Sequence, residues 1–181
     1  MNLTEKTLNS ELVYRGKIMD VFRDEIELPD GHKSIREVVL KPDAVAVVAL
    51  KNNTILLVKQ YRYAVGKPIL EIPAGKLDED EDPLTCAKRE LEEETGYVAK
   101  SWRSLGFVYV SAGFTNEKIH LYLAQDLEFT EQKLDRGEFL ESGEYPLEEV
   151  LDLINSGEIN DAKTLCALLR TQKILGEKDG H

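Results

Sequence analysis

The sequence predicts an α/β protein: an α/β/α sandwich built on a mixed sheet, preceded by antiparallel N-terminal strands. Three observations predict it. Strand-like runs fill the first third, one strongly capped helix follows, and two more strands give way to C-terminal helices. With 181 residues, 42% apolar and 31% charged, the chain has enough Leu, Ile and Val to bury a domain-sized core.

Residues 10–14 read as a strand that ends near Gly16. Residues 18–28 run to the turn Pro29-Asp30-Gly31, and residues 32–40 return, so this pair reads as a hairpin. Lys41-Pro42-Asp43 then punctuates the chain. Residues 1–43 are expected to be an N-terminal strand segment, because roughly 40 residues rarely hold a core alone. Residues 44–181 are expected to form the main domain.

Residues 44–50 are almost continuously apolar, the pattern of a strand covered on both faces. Lys51-Asn52-Asn53 turns the chain into a second strand at 54–60. Asp82 is a natural N-cap and Pro83 suits the first helical position. Leu84, Ala87 and Leu91 give one apolar stripe, and Gly96 closes the helix. Strands at 105–110 and 118–124 follow, then helices at 146–154 and 161–175.

Charge narrows the function classes. The net charge is −11, and no basic cluster offsets it, so nucleic acid and anionic lipid are not expected partners. No apolar run reaches the roughly 18–20 residues of a membrane span. The start, Met1-Asn2-Leu3-Thr4-Glu5-Lys6, has no signal-peptide pattern, and a cytoplasmic location is expected. Cys86 and Cys166 lie outside any CxxC or Cys/His cluster and read as small core residues. His32, His120 and His181 have no partner nearby in sequence and read as structural or solvated.

The acids, by contrast, cluster. Residues 78–94 hold nine carboxylates against Lys88 and Arg89, a net −7 of the chain's −11. Within the helix, Glu90, Glu93 and Glu94 share one face at i, i+3 and i+4. They sit toward the C-terminal end, where the helix dipole disfavours anions. Such a face is either solvated surface or a holder of a hard cation such as Mg²⁺ or Mn²⁺.

The surrounding pattern favours the cation. Gly75, five residues, Glu81, seven residues, then Arg89-Glu90-Leu91-Glu92-Glu93-Glu94-Thr95-Gly96-Tyr97 resembles the Nudix box, Gly-x5-Glu-x7-Arg-Glu-U-x-Glu-Glu-x-Gly-U, with U a bulky aliphatic. Tyr97 departs from the final aliphatic position. The resemblance implies a loop–helix–turn unit in which Gly75 permits a bend. It makes Glu90 and Glu94 the main metal ligands and Glu93 a further ligand or base. Arg89 would orient the glutamates, and Glu81 would reach the metal directly or through water. The reaction implied is hydrolysis of a nucleoside diphosphate linked to another group.

Further segments resemble the ADP-ribose pyrophosphatase branch: Arg36-Glu37-Val38-Val39, Gln60-Tyr61-Arg62, Glu71-Ile72-Pro73-Ala74-Gly75, Gly113-Phe114-Thr115-Asn116-Glu117, Gly137-Glu138-Phe139 and Asp161-Ala162-Lys163-Thr164. The resemblance implies a metal-directed carbonyl at Ala74. It implies substrate contacts from Arg36, Glu37 and Arg62, with Lys17 and Ile18 near the base, and Ser111, Ala112, Gly113 and Glu117 at the terminal ribose. Ala112 stands where the branch usually has proline. Arg36 and Glu37 also admit a plain cross-strand ion pair.

Glu138, on a loop after Gly137, is the implied general base, with Glu93 its rival. The branch further implies a homodimer joined through the N-terminal strands. The expected activity is metal-dependent hydrolysis of ADP-ribose to AMP and ribose 5-phosphate. The alternatives are another nucleoside diphosphate sugar, such as ADP-glucose or GDP-mannose, and a module that binds ADP-ribose without cleaving it.

Overall fold

The computed structural model describes residues 2–178, with side chains described as far as Gly176; His181 lies outside this range. The chain divides into two compact units.

The first unit holds the chain up to Asp43 together with Tyr109–Lys118. Its three-stranded antiparallel sheet has the order β1 (Lys6–Arg15), β2 (Asp20–Glu27), β3 (Lys33–Leu40). The hairpin turn between β2 and β3 uses Gly31 at φ 87°, a conformation glycine adopts without a Cβ penalty. Every residue of β1 is exposed, and its pairing with β2 slips between Thr7 and Asn9 and again between Leu12 and Tyr14. The excursion Tyr109–Lys118 docks on β3, where Val39 N–H donates to the Phe114 carbonyl at 2.7 Å.

The second unit carries the predicted sandwich. Its sheet contains β4 (Ala44–Lys51), β5 (Thr54–Arg62), β6 (Lys67–Glu71), β7 (Ala74–Lys76), most of β8 (Tyr97–Tyr109), β9 (Lys118–Phe129) and β10 (Leu140–Pro146). Its helices are α1 (Pro83–Thr95), α2 (Leu147–Asn155) and α3 (Ala162–Lys178). The main strand order is β10-β5-β4-β9-β8. The sheet is mixed, because β4 runs parallel to β9 while β5 pairs antiparallel with β4, β6 and β10.

Strand β4 is covered on both faces, as its composition predicts. Ala46, Val48 and Leu50 pack with Val150 of α2 and with Ala167 and Leu168 of α3. Val45, Val47 and Ala49 pack with Cys86, Ala87 and Leu91 of α1. Each fully buried aliphatic side chain here contributes roughly 1.5–3 kcal/mol of transfer free energy.

One departure from regular pairing positions the site. β4 and β5 pair only at their hairpin end, Leu50 with Ile55 and Lys51 with Thr54. Beyond it, β6 continues on β5 and β7 continues on β4. Residues 72–73 therefore cross from one strand's edge to the other, and Val47 N–H donates to the Pro73 carbonyl at 2.9 Å. The crossing delivers Glu71 on one side and Ala74–Lys76 on the other, beside α1.

Candidate active site

Helix α1 has the ends that its sequence announces. The Asp82 side chain accepts from Leu84 and Thr85 N–H, and Gly96 caps the C-terminus at φ 74° in the left-handed region. An N-cap of this kind is worth about 1 kcal/mol. Cys86, Ala87 and Leu91 anchor one side in the core, which fixes the rotation of the helix. Burial pushes the Cys86 thiol up, so it stays protonated.

That rotation buries Glu90 and Glu94 and leaves Glu93 half-buried. Glu94 Oε2 accepts the Ala74 N–H at 2.9 Å. Gly75 lies directly against the Glu90 carboxyl: a Cβ there would stand 1.9 Å from Glu90 Cδ. The expectation that Gly75 serves a bend is therefore corrected. Gly75 is absent from the left-handed glycines, and its missing side chain makes room for a carboxylate.

Arg89 ties the acids together. Its Nε and Nη2 take both oxygens of Glu81, at 3.0 and 2.9 Å, while Nη1 reaches Glu90 Oε1 at 2.8 Å and Glu93 Oε2 at 3.0 Å. The Nη2 also donates to the Lys76 carbonyl at 3.2 Å. These bonds hold the Glu81 carboxyl down at about 2. Glu90 and Glu94 move the other way. Burial raises Glu90 to about 7 against the pull of Arg89, and raises Glu94 to about 8 against its Ala74 hydrogen bond. The negative charge of Glu138 adds to both shifts, so all three carboxylates share one neighbourhood.

The chain between β9 and β10 brings Glu138 there. Residues 130–133 close over the end of α1: Thr130 N–H donates to Gly96 O, Gln132 Nε2 to Glu94 O, and Lys133 N–H to Glu93 O. These donors satisfy carbonyls that a helix end leaves orphaned. Glu138 follows, half-buried, with its N–H on the Asp135 carbonyl at 3.0 Å. It lines a cavity of about 530 Å³ together with Lys59, Tyr61, Leu134 and Phe139.

Among the described residues, no three Asp, Glu, His or Cys side chains already converge on one metal position. The donor set nonetheless fits a hard divalent cation. It is all oxygen, two of its carboxylates are buried, and among the described residues the ion-pair partner of Glu81, Glu90 and Glu93 is Arg89.

Arg62 belongs to the same unit, with its Nε 2.7 Å from Glu71 Oε1. Lys17, Ile18, Arg36, Glu37, Ser111, Ala112, Gly113 and Glu117 belong to the first unit. There Arg36 pairs with Glu5, outside the hairpin, in place of a cross-strand partner, and Glu37 is exposed. Glu117 is buried and holds Lys41 Nζ at 2.7 Å. Lys17 and Ile18 are exposed beyond the end of β1, and the Ser111 carbonyl turns the loop by accepting Phe114 and Thr115 N–H.

Residues 40–168 match the family described as the NUDIX domain, and residues 5–39 match the nucleoside diphosphate sugar hydrolase N-terminal domain. The chain belongs to the Nudix family. Over 170 residues this Nudix chain is 45% identical to the ADP-ribose pyrophosphatase of Bacillus subtilis, covering 92% of each. It is 44% identical to the methanol dehydrogenase activator of Bacillus methanolicus, across 96% of this chain and 97% of that one. A crystal structure of an ADP compounds hydrolase superposes with a TM-score of 0.89 at 25% identity, covering 98% of both chains.

Sequence reasoning assigned no role to one polar network. Buried Glu71 and Thr164 with half-buried Asp161 and Lys163 form it beside Arg62. The available signal was one carboxylate inside the apolar stretch Ile69-Leu70-Glu71-Ile72-Pro73, a charge that burial tolerates only when paired.

Proposed function

We propose that this protein hydrolyses the diphosphate of ADP-ribose, giving AMP and ribose 5-phosphate, with Mg²⁺ or Mn²⁺ as the required ion. The observation that carries the reading is the buried pair Glu90 and Glu94, seated against Gly75 and Ala74 and braced by Arg89. Likeness to an ADP-ribose pyrophosphatase along nearly the whole chain supports the substrate.

The ion supplies charge neutralisation at the diphosphate and lowers the cost of activating water. Glu90 and Glu94 would hold it, with the Ala74 carbonyl, Glu81 and Glu93 as further candidate donors. Glu138 accepts the proton of the attacking water, and its place in the cavity with Tyr61 and Phe139 supports that role. Glu93 is less suited, because one of its oxygens is spent on Arg89. Arg62 binds diphosphate oxygens. Lys17, Ile18, Arg36 and Glu37 contact the adenosine side, and Ser111, Ala112, Gly113 and Glu117 contact the terminal ribose.

The functional form is a homodimer joined through the N-terminal strands. The exposure of all of β1, including Leu8, Leu12, Val13 and Tyr14, supports this. The free thiols of Cys86 and Cys166 fit a reducing, cytoplasmic setting.

The test is a hydrolysis panel with Mg²⁺ and with Mn²⁺, containing ADP-ribose, ADP-glucose, GDP-mannose, diadenosine polyphosphates and an oxidised dGTP. ADP-ribose is expected to lead in kcat/KM and to yield AMP by mass. A different leading sugar overturns the substrate. Tight ADP-ribose binding without turnover, unchanged in Glu90→Gln, replaces the hydrolase with a binding module.

A further inference from the structure

Glu71 is fully buried, yet it carries a charge and meets two cations. Arg62 Nε donates to Oε1 at 2.7 Å, and Lys163 Nζ donates to Oε2. Each oxygen thus has its own cation. Lys163 is held in turn by Asp161 Oδ2 at 3.0 Å. The same Oδ2 accepts Thr164 N–H at 3.0 Å and Thr164 Oγ1–H at 2.7 Å. Thr164, itself fully buried, accepts the Ile72 N–H at 3.1 Å.

Two acids and two bases make this cluster neutral, and it joins the end of β6 to the start of α3. Apolar side chains would join those elements at least as well, because a fully buried Glu71 with its partly buried partners carries a desolvation cost. The arrangement at Arg62 is what apolar packing would not provide. Among the described residues, the Arg62 side chain makes one hydrogen bond, through Nε, and its two Nη groups make none. Its side chain is 38% exposed. A planar guanidinium anchored at Nε presents its Nη edge in a fixed direction, and that edge matches a pair of phosphate oxygens. The negative charge of Glu94 favours the Arg62 cation, so the two groups are within electrostatic reach of each other.

We propose that Lys163, held by Asp161, is a positioning residue that occupies one oxygen of Glu71 and so keeps the Nη edge of Arg62 free for the substrate's diphosphate. Without Lys163, Glu71 has a vacant oxygen facing a guanidinium. The two then close into a bidentate pair, an Nη group is spent on protein, and the substrate loses a partner. The inference rests on the assignment of Arg62 to the diphosphate.

Steady-state kinetics on ADP-ribose with Mg²⁺ test it. Lys163→Met is expected to raise KM about tenfold, the scale of one charge-assisted hydrogen bond, with kcat held within a few-fold. Lys163→Arg keeps a cation on Glu71 and restores KM. Arg62→Ala raises KM at least as far, and adding Lys163→Met to it causes no further rise. Thermal melting of each variant reports folding. If Lys163→Met does not fold, Asp161→Asn, which releases Lys163 from its second anchor, serves instead; it is expected to raise KM, and no rise, or a rise that persists in the Arg62→Ala background, overturns the proposal.

A KM rise in Lys163→Met that persists in the Arg62→Ala background overturns the proposal, as does a fall in kcat at constant KM. Unchanged KM in Arg62→Ala overturns the diphosphate assignment as well. That outcome is distinct from an Arg62 effect without a Lys163 effect, which sinks the positioning role alone.

Discussion

Gly75 and Glu90 meet so closely that a Cβ on residue 75 would stand 1.9 Å from the Glu90 Cδ and 1.9 Å from its Oε1. No rotamer of a larger residue avoids this, because the Cβ position is set by the backbone. Gly75→Ala must push the Glu90 carboxyl aside. The expected result is a loss of about 100-fold in kcat/KM, the usual cost of an ångström-scale misplacement at a reacting centre. Mn²⁺ is expected to raise the melting temperature of the parent protein, and that rise should shrink in the variant. An alanine variant with normal turnover would mean that Glu90 does not hold the ion.

Arg89 is asked to meet three carboxylates at once, through three nitrogens. Lysine offers one ammonium in place of the planar fork. Arg89→Lys is therefore expected to fold but to lose about 10–100-fold in metal affinity or turnover, as is usual when a group orienting metal ligands is changed. Titrating Mn²⁺ against activity separates the two losses.

Asp161 sits immediately before α3, and its Oδ2 receives Thr164 N–H in the manner of an N-cap. Burial pushes this carboxyl up, but the Lys163 ammonium and the Thr164 hydrogen bonds outweigh burial and leave it below its ordinary 3.8. A carboxyl lowered in the folded state stabilises the protein above its unfolded value. That contribution is lost as pH falls below about 4 and through the folded value. Asp161→Asn should therefore melt a few degrees lower than the parent at pH 7, for a loss of about 1 kcal/mol. The gap should narrow below about pH 4. Melting curves from pH 3 to 8 on both proteins check the sign.

Legibility of this fold from sequence followed locality. Helix α1 was readable to the residue because Asp82, Pro83 and Gly96 act within one turn of its ends. β4 was readable because both its faces are apolar. β6 and β7 were not, being five and three residues long, with Pro68 in one and Gly75 in the other. β8 begins at Tyr97, directly after the helix cap, where the polar residues Lys100, Ser101, Arg103 and Ser104 obscure alternation. Tyr97 itself, the departure from an aliphatic, has a local reason. Its hydroxyl donates to Glu144 at 2.7 Å and accepts from Lys51 at 3.1 Å, while its ring packs edge-on against Phe129.

The site was legible to the same extent. The acids of α1 follow from helical spacing, whereas Glu71 and Lys163 stand 92 residues apart and meet only once α3 packs against the sheet. The lone carboxylate in its apolar stretch marks Glu71, but nothing local names Lys163 as its partner. Glu117 is a similar case, since its ion pair with Lys41, 76 residues away, has no local signal either.

The two slips in the pairing of β1 with β2 bear on how open this sheet edge is to further strands. An outer strand with open peptide groups is a template on which further chains can stack without end. Each slip bends that row of donors and acceptors and breaks its spacing. Lys6, Glu11 and Arg15 place charges along the same strand. Such interruptions disfavour regular strand-on-strand stacking, while the exposed Leu8, Leu12 and Val13 can still bury against a surface shaped to fit them.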